Sequence, residues 1–247
     1  MDITIKRELV VVYTVGKVAS STISESIKAA GLQCYDVHVM EHSRLLNVMK
    51  THARDNVFPP PHIAQSLLIR RDFFSKYSNV KLISLIRDCP SRNVSCVFQN
   101  LPKDEAVSVE EVSEQLLAMH FNPFSPWFRK ELLEVTGIDV MATPFDRDAK
   151  WQRYSRGRFE LLLMRTDLAD DEKSQQLENY LGISVPLLHS NVGAKKWYSE
   201  LYNRFNSSGE LSEKWINSAI DNKFMRHFFH DYEREKLRTK YSSFVRV

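Results

Sequence analysis

The sequence predicts an α/β protein, a central parallel sheet flanked by helices with a helical C-terminal part. Three observations carry this. Four apolar runs are continuous rather than alternating, as in strands covered on both faces. The first three are each followed by polar residues and then a helical pattern. Residues 210–241 are charged and helical in character. The whole, 1–247, reads as one domain, since 247 residues can bury a sizeable core.

The first strand is expected at 9–15. After it, Ser20-Ser21 precede an apolar stripe of Ile23, Ile27 and Ala30, and Gly31 is placed to stop that helix. The second strand is expected at 35–40. Phe58-Pro59-Pro60-Pro61 reads as a loop or stiff connector, because three prolines cannot continue a helix. The third strand is 80–86; Asp88 and Pro90 then fit the cap and first turn of a helix. Helices are expected at 105–120 and 126–136, with a fourth strand at 159–164. The charged segment 210–241 reads as a long helical segment with a solvated face.

Composition bounds the function. A chain that is 43% hydrophobic and 26% charged is not a disordered one. Thirty-four Lys and Arg against 31 Asp and Glu give no global field for nucleic acid, so any positive field must be local. Cys34, Cys89 and Cys96 form neither a CxxC nor a Cys/His metal pattern, which points to a reducing compartment. The run at 9–15 lies behind Lys6-Arg7-Glu8 and lacks a small-residue cleavage site, so it reads as a buried strand rather than a signal or anchor.

Two constellations bear chemistry. Gly16-Lys17-Val18-Ala19-Ser20-Ser21-Thr22 links the first strand to a helix start, where outward-pointing amides and the helix dipole attract anions. The hydroxyls add donors and Lys17 adds a cation. The alternative is an ordinary serine-capped turn with a solvated lysine. A Walker loop is excluded, since Val18 follows Lys17 and no glycine stands five residues before Gly16. The second constellation is Arg87 to Ser95. A guanidinium at the end of a buried strand can grip phosphate bidentately, and Ser91 and Ser95 share a helix face. Alone, Arg87 reads better as a partner of Asp88 or a cap of the sheet. Two anion motifs beyond the carboxyl ends of two strands match where open α/β sheets bind ligands.

These residues resemble the sulfotransferases that use 3′-phosphoadenosine-5′-phosphosulfate (PAPS). Lys17 to Thr22 is similar to their 5′-phosphosulfate loop, PKxGTTW or PKxxST[ST]; Arg87 with Ser95 is similar to their 3′-phosphate motif. Residues 159–168, ending in Asp167-Leu168, resemble a later strand of that family. Lys196-Trp197-Tyr198-Ser199 matches most of the NKWYS signature of a bacterial capsular polysaccharide synthesis group. The resemblance runs over nearly the whole chain, and the two phosphate motifs are its specific parts. It departs at Gly16 for proline, Ala19 for glycine, Thr22 for an aromatic, Cys89 for the proline of RDP, and Lys195 for asparagine.

The resemblance implies PAPS as cofactor, PAP as product, no metal, and a glycan or small hydroxylated acceptor. No nucleic-acid partner and no integral membrane segment are expected. Gly16, Lys17, Ala19, Ser20, Ser21 and Thr22 would hold the 5′ end, and Arg87 and Ser95 the 3′-phosphate. Lys17 would be catalytic, with His38 as the base that takes the acceptor proton, because imidazole accepts protons near neutral pH. Glu41 and His42 are neighbouring candidates; Lys195, Lys196 and Trp197 could touch cofactor or acceptor. Trp127, Phe128 and Tyr198 fit sugar stacking or a core. The expected compartment is cytoplasmic, or lumenal if the sequence is a piece of a Golgi-type enzyme. Two rivals remain: a nucleotide-binding protein of the same fold without turnover, and a kinase or ATPase, which the missing GK[ST] disfavours.

Overall fold

The computed structural model describes residues 6–59, 61–103, 106–188 and 197–245. Its elements run β1 (Lys6–Tyr13), α1 (Ser20–Ala29), β2 (Cys34–Val37), α2 (His42–Arg54), α3 (Pro61–Ser75), β3 (Tyr77–Ile86), α4 (Cys89–Asn100) and α5 (Val109–Ala118). They continue with α6 (Phe124–Trp127), a π-helical turn (Phe128–Leu133), α7 (Glu134–Thr136), β4 (Trp151–Arg156), β5 (Phe159–Arg165) and α8 (Asp170–Leu181). The last are α9 (Ser199–Ser208), α10 (Glu213–Ile220), α11 (Lys223–Phe228) and α12 (Asp231–Ser242). The chain divides into two compact units, Met1–Ile86 with Pro126–Leu188, and Arg87–Ser125 with His189–Val247. Among the described residues no helix is long and apolar enough to cross a membrane.

The first unit is built on a five-stranded sheet of order β2-β1-β3-β5-β4, parallel except for β4. The interior strands are the continuous apolar runs. Val11, Val12 and Tyr13 of β1 are fully buried, as are Leu161 to Met164 of β5. Each such side chain contributes about 1.5–3 kcal/mol, which is why these runs become strands whatever their local propensity. From β1 the chain goes to β2 on one side and then returns to β3 on the other. The carboxyl end of β1 is therefore a topological switch point, where open α/β sheets form a crevice.

Three details depart from expectation. The second strand ends at Val37 instead of residue 40, because side chains from beyond residue 126 claim the next backbone groups. The Trp127 indole donates to the His38 carbonyl (2.8 Å), and Glu131 accepts the amides of Met40 (2.8 Å) and Glu41 (2.9 Å). The fifth strand, β4, was not foreseen. It is an antiparallel edge strand with no fully buried residue, so it lacks an apolar run. Gly157 at φ +57 opens the two-residue turn into β5, the one local sign of that hairpin. Pro61 opens α3 as prolines do in a first turn, so the last proline of the run belongs to a helix rather than to the connector.

In the second unit, α4 begins as expected: Asp88 accepts the Ser91 amide (2.8 Å) and Pro90 lies in the first turn. The helical segment 210–241 consists of three helices. Asn222 makes the first break. Its amide donates to the carbonyls of Ser218 (3.1 Å) and Ala219 (2.9 Å), closing α10, and its oxygen accepts the Met225 amide (3.1 Å), opening α11. His230 opens α12, with the Glu233 carboxylate reaching back to its amide (2.8 Å). Its charged side chains lie mostly on the exposed side, as at Glu213, Lys214, Lys223, Glu235 and Lys236, but the segment also has an apolar inner side. Trp215, Ile216, Ile220, Phe224, Met225, Phe228 and Tyr241 are buried, and Phe224 stacks on Phe124 at 4.2 Å between centroids.

Asn222→Ala removes a helix cap and orphans two helix-end carbonyls, so it should cost about 1–2 kcal/mol or more. A lower urea midpoint at unchanged slope is the expected result; an unaltered midpoint would mean that the break is set by packing alone.

Candidate functional site

The loop from Thr14 to Ala19 leaves the carboxyl end of β1. Lys17 (φ +75) and Ala19 (φ +62) both lie in the left-handed region, which costs a non-glycine residue about 1–2 kcal/mol. Ala19 is the N-cap of α1 and offers no side-chain cap, so the first amides of that helix are not satisfied by a cap. Gly16 is not in the left-handed region; a Cβ there would make ordinary contact, 4.0 Å from His38 Cδ2 and Nε2. A larger residue fits at position 16, whereas position 19 is where the backbone asks for glycine.

The three hydroxyls differ. Ser20 is buried and donates to Asp36 Oδ2 (3.0 Å), so its hydroxyl is committed to a carboxylate on β2. Ser21 is exposed and Thr22 half-buried. Lys17 and Gly16 are half-buried. This loop thus brings together a lysine, helix-start amides and the hydroxyls of Ser21 and Thr22, with the Asp36 carboxylate beside them.

His38 stands just past β2 and against this loop. Its Nδ1 lies 2.9 Å from the Thr14 carbonyl, with the Thr14 hydroxyl farther away at 3.4 Å. A carbonyl can only accept, so the proton of the neutral ring belongs on Nδ1, and the lone pair is on Nε2, the nitrogen turned toward Gly16. That is the tautomer a general base requires. Glu41 has a different task. Burial opposes its ionisation, but the amides of Ser43 (2.8 Å) and Arg44 (2.7 Å) outweigh it and hold the carboxyl below its ordinary range. It is the cap of α2 and a weak base. His42 is the exposed first residue of α2.

Behind His38, Glu131 on the π-helical turn is fully buried. Besides the amides of Met40 and Glu41, its carboxylate receives the Tyr13 hydroxyl (2.5 Å) and an ion pair from Arg44. Burial, then the facing Glu131 charge, pushes the Tyr13 phenol well above its usual pKa, so it remains a donor. Trp127 packs edge-on to Tyr13, 5.0 Å between centroids, while holding the His38 carbonyl. Trp127 and Phe128 are buried here, so they serve a core rather than a stacking surface.

In the second unit, Arg87 and Ser95 open onto one cleft of about 610 Å³, together with Ser91, Val94, Phe98, Tyr198, Ser199, Tyr202, Asn203, Lys240 and Tyr241. No carboxylate lines it among the described residues, and Arg87 forms no ion pair among them. Ser91 Oγ is 3.3 Å from the Tyr241 hydroxyl, whose pKa burial raises first and nearby Asp88 second. Trp197 is not in the lining; it is half-exposed and stands edge-on to Tyr198 at 5.5 Å. Lys195 and Lys196 lie outside the described residues. Asp167, by contrast, is structural: burial raises its pKa, but a bidentate pair with the buried Arg165 (2.9 and 2.6 Å), aided by Lys150, outweighs this and lowers it.

Sequence reasoning missed Glu131, whose role depends on partners more than 80 residues away, and missed Lys240 and Tyr198–Ser199 as cleft residues. The Lys-Trp-Tyr-Ser run was visible; the placement of Tyr198 and Ser199 beside Arg87 and Ser95 was not.

Because position 19 is held at φ +62, Ala19→Gly should stabilise the protein by roughly 1 kcal/mol by removing left-handed strain. Chemical denaturation measures it, and a loss of stability would show that the methyl group packs usefully.

Residues 109–230 match the model of the NKWYS family, described as putative capsular polysaccharide synthesis protein. The match is just under half the chain. It takes in Tyr198, Ser199, Tyr202 and Asn203 of the cleft but neither phosphate motif, at 16–22 or at 87–95. No curated protein and no solved structure matches the chain.

Proposed function

We propose that this protein transfers a sulfuryl group from PAPS to a hydroxyl of a glycan or other hydroxylated acceptor, on a sulfotransferase-type α/β fold. The observation that carries the reading is the carboxylate-lacking cleft onto which Arg87 and Ser95 both open. Similarity to a capsular polysaccharide synthesis family over 109–230 is compatible with a glycan as acceptor.

In this reading Arg87 grips the 3′-phosphate through its fork and Ser95 donates a hydroxyl bond to it. The amides at the start of α1, with Ser21 and Thr22, receive the 5′-phosphate. Bound PAPS supplies the sulfuryl group and a phosphate leaving group. Lys17 neutralises charge that builds on the leaving oxygen, an interaction worth most as the transfer proceeds. His38 Nε2 takes the proton of the acceptor hydroxyl, and Nδ1 stays tied to the Thr14 carbonyl so that the ring keeps its aim.

A second reading, a nucleotide-binding protein without turnover, is favoured by one observation. Asp36 holds Ser20 at the start of α1 and sets a negative charge beside an anion loop. Sulfate transfer measured from radiolabelled PAPS separates the two.

PAP should stabilise the protein without added metal, by about 2.7 kcal/mol at 100-fold over its dissociation constant. Arg87→Ala should weaken PAP by roughly 1.5–3 kcal/mol and leave a nucleotide lacking the 3′-phosphate nearly unaffected. Equal losses for both nucleotides would make Arg87 structural.

His38→Ala should lower single-turnover transfer about 10²–10⁴-fold at nearly unchanged PAP affinity, whereas Lys17→Ala should lower both. Transfer at the parent rate by the His38 variant would end the base assignment.

A further inference from the structure

We propose that Lys240 is the second cation of the cleft in the second unit, and that this cleft holds a phosphate monoester carried on an aromatic nucleoside. The inference deepens the function proposed above and rests on it for the identity of the natural ligand.

A phosphate monoester carries about −1.5 to −2 at neutral pH, so Arg87 alone leaves as much as half of it unmatched. Among the described residues, Lys240, in the last turn of α12, is the other cation in the lining, and no carboxylate lines the cleft to compete with a ligand for either. Lys240 is not held in an intrahelical pair. The positions three and four before it are Leu237 and Lys236, and those after it are Ser243 and Phe244. Its Nζ lies 5.1 Å from the centroid of the Tyr241 ring, a cation–π contact on a residue that also lines the cleft.

Hydroxyls and rings complete the chemistry. Ser91 and Ser95, one helical turn apart on α4, and Ser199 at the start of α9 offer neutral donors of the kind phosphate oxygens accept. Beside them Phe98 meets Tyr198 at 5.5 Å and Tyr202 at 5.0 Å between centroids. These rings form an apolar wall with polar rims, suited to the face of a heterocyclic base. The space, about 610 Å³, lies within the range of small-molecule sites, roughly 300–1,000 Å³. Tyr198 and Ser199 thus acquire a ligand-facing role that the family description does not give them.

Isothermal titration of the full chain with 3′-AMP, 5′-AMP and PAP tests this. Lys240→Ala should weaken 3′-AMP and PAP about 10-fold and leave 5′-AMP within about twofold, while Lys240→Arg should keep most of the affinity. The side chain is exposed, so the variant should fold as the parent does. If Lys240→Ala binds PAP like the parent while Arg87→Ala loses it, the second-cation assignment is wrong and the proposed function stands. Equal weakening of 3′-AMP and 5′-AMP overturns it too. If 3′-AMP binding depends on Lys240 but no sulfate is transferred from PAPS, the inference stands and the proposed function falls. A parent protein that binds neither 3′-AMP nor PAP refutes both.

Discussion

The buried carboxylate of Glu131 is the interaction on which the first unit's candidate chemistry depends. Removing a charge from water costs several kcal/mol, and here the cost is met by an arginine and three hydrogen-bond donors drawn from separate segments. Tyr13 brings the end of β1, Met40 and Glu41 bring the turn after β2, and Arg44 brings the first turns of α2. Each donor would be expensive to leave unmade in so dry a position, about 1–3 kcal/mol apiece. His38 lies two residues before this knot and its carbonyl is taken by Trp127. Its ring is therefore set by a backbone fixed on both sides, and Thr14 decides which nitrogen carries the proton. The π-helical turn bearing Glu131 is a form that recurs at functional positions because it displaces a side chain from ordinary helical register.

The two proposed anion sites are built on different physics. The loop after β1 relies on amides, a lysine and left-handed backbone, and it tolerates a carboxylate nearby in Asp36. The strain at Lys17 and Ala19 is what turns the chain sharply enough to open a helix directly above the strand end. The cleft of the second unit has side-chain cations, no carboxylate in its lining among the described residues, and aromatic walls. Its floor is tied into the core through Phe98, which also meets Phe205 at 5.6 Å. The first site depends on backbone conformation, the second on helix packing.

Much of this was legible in the sequence. Continuous apolar runs gave four of five strands because burial on both faces leaves no room for alternation, and Asp88, Pro90 and Gly31 punctuated helices by local chemistry alone. The strand after residue 34 was overextended because its continuation, Val39-Met40, is apolar too. What shortened it was a pair of side chains from 127 and 131, which no local pattern encodes. The C-terminal segment misled for a related reason. Its many charges look like a solvated helix, yet Arg234 and Arg238 both converge on Asp221 (2.7 and 2.6 Å) while the apolar side packs inward.

Sequence by itself determined the α/β class and four of the five strands along the chain, and marked which residues carry anion-binding chemistry, since hydropathy period and side-chain chemistry are local properties. Tertiary structure decided which of those residues are available and what stands beside them. Ser20 is given to Asp36 and Glu41 to a helix cap, whereas Arg87, Ser95, Tyr198, Ser199 and Lys240 share one cleft. The physical reason is that a ligand site is a coincidence in space of groups far apart in sequence. Packing of apolar faces sets that coincidence, and the polar residues that profit from it leave no periodic trace of their partners.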